Sequence, residues 1–276
     1  MKQIDKNNKV FNSKEFEKDK YKFDLIYKIL ENDNALLISD EENYIIARGD
    51  VKYPSWIWTK DKISQEKVQE LEEVLKLYLR ENKKDKFVCK KELYEQFLND
   101  DLKILNKEDY FEMGTLICNK VNKPKITDGK IDRVKKEELD IISKFWYLST
   151  HEMNNVAPLT IEQAKKDAKQ MIESDNFYIW RNKEGKIVCM AIYVVNNGQA
   201  KVSHVYTDEE ERGKGYSANL IYEITKKILE DGLIPLLYTD YNYYYSNKSY
   251  KNAGYEDTGI LINFTCSKNK LKERKK

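Results

Sequence analysis

The chain has 276 residues, about twice the ~150 of a typical domain, so two domains are expected. With 41% hydrophobic and 35% charged residues and a mean hydropathy of -0.77, it is neither a disordered chain nor one with an apolar run near the ~18 residues that cross a bilayer. Lys and Arg number 49 against 47 Asp and Glu, a net charge of +2 balanced in both halves, which argues against a nucleic-acid partner and leaves no membrane partner expected.

The opening residues to about Lys20 show little periodicity and read as a loose lead-in to the apolar segment Tyr21 to Leu30. Ala35 to Ile38 and Tyr44 to Ala47 flank a polar turn, the pattern of a β-hairpin. From Ser64 to Arg80, Val68, Leu71, Val74, Leu75 and Leu79 recur at three- and four-residue spacing, predicting an amphipathic helix with Ser64 as N-cap. Lys90 to Phe97 reads as another helix and Phe111 to Cys118 as a strand. Pro124, Asp128 and Gly129 mark a seam near residue 128. Beyond it, Val134 to Leu148 and Thr160 to Ile172 predict two helices. Phe177 to Trp180, Ile187 to Val195 and Gln199 to Thr207 predict three antiparallel strands, the last two joined by an Asn-Gly turn. A helix from Ser217 to Asp231, a strand from Ile234 to Thr239, a helix from Ser246 to Ala253 and closing strands from Tyr255 to Phe264 complete the order. The expected fold class is α/β, an α+β mixed sheet in two domains, 1–128 and 129–267, with a basic tail 268–276 read as a solvated end.

The four cysteines, Cys89, Cys118, Cys189 and Cys266, are far apart with no C-x-x-C spacing. They argue against a metal site and a disulfide framework, and with no signal-peptide pattern at the N-terminus they fit a cytoplasmic protein. No cysteine stands beside a histidine in a nucleophile pattern, and Cys189 reads as a small buried hydrophobe.

Chemistry is concentrated in two segments. The first is a strand ending at Val205-Tyr206-Thr207, followed by Arg212-Gly213-Lys214-Gly215-Tyr216-Ser217 opening a helix. Two glycines beside a helix N-terminus leave main-chain N–H groups bare, a combination suited to phosphate, but the spacing fits neither a Walker A loop nor a Rossmann fingerprint. The second segment is Tyr238-Thr239-Asp240 followed by Ser246-Asn247-x-x-Tyr250-x-x-x-Gly254-Tyr255. Here Asn247 and Tyr250 share a helix face and Gly254 ends the helix.

These segments resemble the GNAT-type N-acetyltransferase superfamily, whose Gln/Arg-x-x-Gly-x-Gly/Ala loop is met by Arg212-x-x-Gly215-x-Ser217, with Ser217 replacing the usual Gly or Ala. The similarity covers about residues 131–262. It extends to a bacterial branch with an extra N-terminal domain, so that residues 1–125 suggest a degenerate second GNAT-like unit. The resemblance implies a splayed central sheet forming a slot for acetyl-coenzyme A as co-substrate, with no metal. It implies that main-chain groups of Val205, Tyr206 and Thr207 pair with the pantetheine arm and polarise the acetyl carbonyl. By the same analogy Arg212, Gly213, Lys214, Gly215, Tyr216 and Ser217 hold the pyrophosphate, Asn247 bonds the pantetheine region, and Tyr250 gives a proton to the departing thiolate.

The implied activity is direct acetyl transfer to a primary amine of a small molecule or peptide. Many family members carry a carboxylate on the strand before the loop as general base, and this chain has none at Lys201, Val202 or Ser203. His204 is therefore the candidate base, with Glu152 the second. The tyrosines from Tyr241 to Tyr245 are read either as an acceptor channel or as packing. An acyl-coenzyme A sensor without turnover is the alternative reading, and a tandem-domain aminoacyl transferase using charged tRNA a third. Monomer and homodimer both remain open.

Overall fold

A computed structural model describes residues 2–81, 84–99, 105–125, 127–152 and 157–268. The basic tail beyond Lys268 lies outside them. In chain order the elements are β1 (Lys2–Gln3), α1 (Lys14–Lys18), α2 (Asp24–Leu30), β2 (Leu36–Ser39), β3 (Tyr44–Arg48), β4 (Ser55–Thr59), α3 (Gln65–Glu81), β5 (Lys84–Lys90), α4 (Lys91–Asn99) and β6 (Leu105–Cys118). There follow β7 (Lys130–Asp132), α5 (Leu139–Glu152), α6 (Ile161–Ile172), β8 (Phe177–Arg181), β9 (Ile187–Asn196), β10 (Gln199–Thr207), α7 (Tyr216–Glu230), β11 (Ile234–Asp240), α8 (Tyr244–Asn252) and β12 (Tyr255–Lys268). The mixed α/β class expected from the sequence is the class observed. No helix among the described residues is long and apolar enough to cross a membrane.

The chain divides into two compact units, one of Met1–Thr115, Asp240–Asn242 and Thr258–Lys276, the other of Leu116–Thr239 and Tyr243–Asp257. This differs from the expected division into 1–128 and 129–267 in two ways. The stretch carrying Pro124 belongs to the second unit, because its backbone is fastened there: Asn122 N donates to the Ala253 carbonyl at 2.8 Å and Asn219 Nδ2 to the Lys125 carbonyl at 3.0 Å. The last strand belongs to the first unit, where β12 runs antiparallel to β5 in the register Ile262↔Cys89 and Phe264↔Phe87.

In the first unit, β1, β2, β3 and β4 pair antiparallel in sequence, and β5 then lies parallel to β4 in the register Trp56↔Val88. Strands β3 and β4 are buried along their whole length, so both faces of the sheet are covered. The predicted stripe of α3 supplies one cover, with Val68, Leu71, Val74 and Leu75 packed on Ile46, Ile57, Phe87 and Phe264. The supposedly loose lead-in helps supply the rest. It forms a 3₁₀ turn at Lys9–Asn12 and α1, and buries Val10, Phe11 and Phe16, the last edge-on to Trp58 at 5.3 Å.

In the second unit β11, β10, β9, β8 and β7 lie side by side in that order, the β10–β11 pair parallel and the next three pairs antiparallel. The Asn197-Gly198 turn has positive φ at both residues, 46° and 74°, the twist that a two-residue hairpin requires. Alternation along β9 sends Met190 and Ile192 to the face covered by α5 and α6, and Cys189 and Ala191 to the face covered by α7. Capping decides where α6 starts: the Thr160 hydroxyl accepts from Gln163 N while the Gln163 side chain accepts from Thr160 N. Both units share one order of elements, two helices, three antiparallel strands, a helix, a strand parallel to the third, and another helix.

Candidate active site

Strands β10 and β11 pair only from Gln199↔Ile234 to Val202↔Leu237 and then separate, although β10 continues to Thr207. The splay expected between the strands ending at Thr207 and Thr239 is therefore present. Between Ser203 and Tyr206 the register of β10 against β9 also shifts, a bulge that re-aims the side chains at the point of separation. The result is a cleft of about 260 Å3 in the second unit. One wall is Val205, Tyr206 and Thr207, a second the loop and first turn of α7, and a third α8 with Ser246, Ser249 and Tyr250.

The loop is shaped by its carbonyls. Thr127 Oγ1 donates to the Lys214 carbonyl at 2.9 Å and Asn219 Nδ2 to the Gly215 carbonyl at 3.0 Å. Gly213 and Gly215 have φ of 78° and 86°, a region costly for residues with a Cβ. Gly215 is the N-cap of α7 and has no side chain to satisfy the first-turn N–H groups, and no acidic residue stands in that turn. The donors and the positive end of the helix dipole are left for an anion. Tyr216 is buried, with its hydroxyl donating to Asp128 Oδ1 at 2.9 Å. Burial first, and that carboxylate second, push the phenol up to about 12.

Arg212 does not extend freely into the cleft. Its Nη2 donates to both oxygens of Glu152, at 2.8 and 2.6 Å, its Nε to the Thr207 carbonyl at 3.2 Å, and its guanidinium lies 5.6 Å from the Tyr206 ring centre. Lys214 turns away to Glu211 at 2.7 Å, and neither it nor Asn247, half-buried on α8, is among the side chains lining the cleft. Ser217 does line it.

Tyr250 faces the cleft from α8 and packs edge-on to Tyr255, ring centres 6.1 Å apart. Burial, with a smaller contribution from Cys189, pushes its phenol up to about 12, so the proton stays on the oxygen throughout the neutral range. Cys189 lies buried with Thr207 Oγ1 donating to its sulfur at 3.3 Å, and burial pushes its thiol up to about 12 as well. It is the buried hydrophobe expected and offers no thiolate. Among the described residues no cluster of His, Cys, Asp and Glu is suited to a metal ion.

His204, the candidate base, is not among the residues lining the cleft. It has a φ of 53° within the bulge, and its ring packs on Trp146 of α5 at 4.2 Å. That is the α5–α6 side of the sheet, which Tyr206 shares, whereas its neighbour Val205 packs with the α7 side. Burial, reinforced by Lys201 and opposed by Asp167, pushes its pKa down to about 4. So weak a base is unsuited to deprotonating an alkylammonium. The same shift predicts a pH dependence of stability. An unfolded histidine takes up its proton near 6.5 and the folded one only near 4. Stability is therefore full above pH 6.5 and falls as pH drops towards 4. Denaturant titrations across that window are expected to show this slope, and His204→Leu to flatten it.

Several residues of the site carry no readable signal alone. Thr127 and Asp128 fix the loop from what looks like an interdomain turn, and Glu152, the second candidate base, lines the cleft in a pairing with Arg212 that spans 60 residues of sequence and could not be read from it. Tyr243 and Tyr245 line the cleft, although packing alone was an equally good reading of that aromatic run.

Residues 141–255 match the family described as Acetyltransferase (GNAT) family. No curated protein matches the sequence. Among solved structures, the chain is similar to an acetyltransferase from the GNAT family of Colwellia psychrerythraea, at 13% identity and a TM-score of 0.58, covering 97% of this chain and 99% of that one. It is also similar to a GCN5-related N-acetyltransferase of Kribbella flavida, at 14% identity and a TM-score of 0.57, covering 92% and 96%. A third, from Sphaerobacter thermophilus, has 10% identity and a TM-score of 0.54, covering 84% and 82%. At these identities the structural likenesses show a shared fold, one that extends over both units. The part of the chain that carries the cleft, residues 141–255, therefore belongs to the GNAT superfamily of acetyltransferases.

Proposed function

We propose that the protein transfers the acetyl group of acetyl-coenzyme A to a primary amine of a small molecule or peptide. The observation that carries this reading is the conjunction, in one cleft, of an uncapped helix N-terminus and a protonated phenol with no hydrogen-bond partner among the described residues. These residues fit the co-substrate. The tied-back carbonyls of Lys214 and Gly215 aim N–H groups outward for its diphosphate, and the exposed edge of β10 beyond Val202 can pair with an extended arm.

Bound there, acetyl-coenzyme A supplies an activated thioester. The chain's own tasks are to bind, orient and move protons. In the balanced reaction the amine nitrogen forms a bond to the acyl carbon, the carbon–sulfur bond breaks with its electron pair on sulfur, and the amine loses one proton as the thiol gains one. A main-chain N–H of the Val205–Thr207 segment stabilises negative charge on the acyl oxygen. Tyr250 gives the proton to sulfur. With His204 outside the cleft lining and Glu152 taken up by Arg212, the amine enters as its free base and surrenders its proton to water at the open cleft. Thiol release from acetyl-coenzyme A in the presence of an amine panel tests the reading. Amine-dependent release is expected, whereas tight binding without release across the panel would favour an acyl-coenzyme A sensor.

The first unit reads as a GNAT-like unit that has lost this chemistry. Its corresponding position, between the ends of β4 and β5, holds a cavity of about 130 Å3 lined by Lys22, Asp61 and Lys90. Buried Lys90 is paired with Asp19 and, at 2.9 Å, with Asp61, while Trp58 Nε1 donates to Asp19 at 2.8 Å. The segment leading into α3, Lys60 to Ser64, has no glycine, and the Ser64 carbonyl accepts from Lys67 N and Val68 N at 2.9 and 3.1 Å.

A further inference from the structure

We infer that Tyr243 and Tyr245 form the acceptor wall of the cleft and select a primary amine carried on a planar apolar body. This rests on reading the cleft as an acetyl-transfer site. If these rings served only packing they would be buried, as Tyr255 is at 2% exposure; instead Tyr243, Tyr244 and Tyr245 are 55%, 63% and 74% exposed. Three consecutive exposed aromatics at the mouth of a cleft make a patch that a soluble surface normally avoids unless something covers it.

The rings are held in place. The Tyr243 carbonyl accepts from Ser246 Oγ and from Asn247 N, each at 3.3 Å, and Ser246 Oγ also meets Thr239 Oγ1 at 3.1 Å, which ties the start of α8 to the end of β11. Tyr245 stands edge-on between its neighbours, with ring centres 6.1 Å from Tyr243 and 5.7 Å from Tyr244. Tyr244 is covered by the Lys248 ammonium at 5.4 Å and is not among the residues lining the cleft, so Tyr243 and Tyr245 are the pair offered to a ligand. Tyr243, Ser246 and Tyr250, at i, i+3 and i+7, form one stripe along the cleft. It spans about 10 Å at the helical rise, enough for an amine near the phenol of Tyr250 and a ring against Tyr243.

The carboxylates that line the cleft are themselves paired, Glu152 with Arg212 at 2.6 Å and Glu211 with Lys186 and Lys214 at 3.1 and 2.7 Å. The attraction left for an incoming ammonium is that of the aromatic faces.

The test compares butylamine with 4-phenylbutylamine, which share the same amine, in the thiol-release assay. Wild-type protein is expected to favour the phenyl compound by tenfold or more in kcat/KM. In Tyr243→Ala/Tyr245→Ala the ratio is expected to fall towards one through a raised KM for the phenyl amine, and Tyr243→Phe/Tyr245→Phe is expected to restore it. Equal kcat/KM for the two amines in wild type overturns the inference. So does a raised KM for acetyl-coenzyme A in the alanine variant, which would assign the rings to the adenine. Absence of release with every amine would instead remove the underlying transferase reading.

Discussion

Gly215→Val is expected to weaken acetyl-coenzyme A binding by on the order of a hundredfold or more while leaving the fold intact. Gly215 has a φ of 86°, where a β-branched residue is strained by about 1–2 kcal/mol. Among the described residues space is not the difficulty, since an added Cβ would meet Asn219 Nδ2 at 3.8 Å and Thr127 Cβ at 3.9 Å. The strain is relieved by rotating the peptide that opens α7, and this turns the first N–H groups of the helix away from the anion. A hydrogen bond to a charged group contributes about 1.5–3 kcal/mol, so misdirecting two of them accounts for the loss. Calorimetry with acetyl-coenzyme A, alongside a far-ultraviolet spectrum to verify folding, measures it. An affinity within threefold of wild type would mean that the diphosphate is held elsewhere.

Tyr250→Phe is expected to lower kcat about a hundredfold with little change in the KM for acetyl-coenzyme A, the lower end of what a positioned proton donor contributes. A thiolate leaves more readily than an alkoxide, so activity should be reduced rather than lost. Removing this hydroxyl orphans no hydrogen-bonding group among the described residues, and thermal stability should hold, which separates a chemical effect from a structural one. The pH profile gives a second readout. With the phenol pushed up to about 12, the donor stays protonated to well above pH 10. The wild-type rate should rise with pH as the amine loses its proton, with no falling limb from Tyr250 below about pH 11. An unchanged kcat in the phenylalanine variant would assign the proton to solvent.

Much of the second unit was legible because its signals are local. The Asn-Gly hairpin, the α6 capping residue and the glycine loop each need only a few adjacent residues, and all stand where the spacing put them. The first unit was harder to read. Strand β4, Ser55-Trp56-Ile57-Trp58-Thr59, is buried on both faces and so lacks the alternation that marks a half-exposed strand. Strand β5 opens on Lys84-Asp85-Lys86, charged residues that carry no strand signal. The orientation of His204 was not legible at all, because a bulge changes which face a side chain takes without leaving a mark in composition. The Glu152–Arg212 pair and the Thr127 anchor are contacts across long stretches of chain, which periodicity cannot show.

The pairing of β12 with β5 has a consequence for how the chain is made. Synthesis proceeds from the N-terminus, and domains ordinarily fold as they emerge. Here the first unit leaves the ribosome with one side of β5 bare, and the segment that covers it, Leu261 to Ser267, is translated only after the second unit. Until then that edge offers unpaired backbone groups to any neighbouring strand. Expressing residues 1–115 alone would make this condition permanent, so the N-terminal unit is best isolated with the C-terminal strand supplied in trans or grafted on by a short linker.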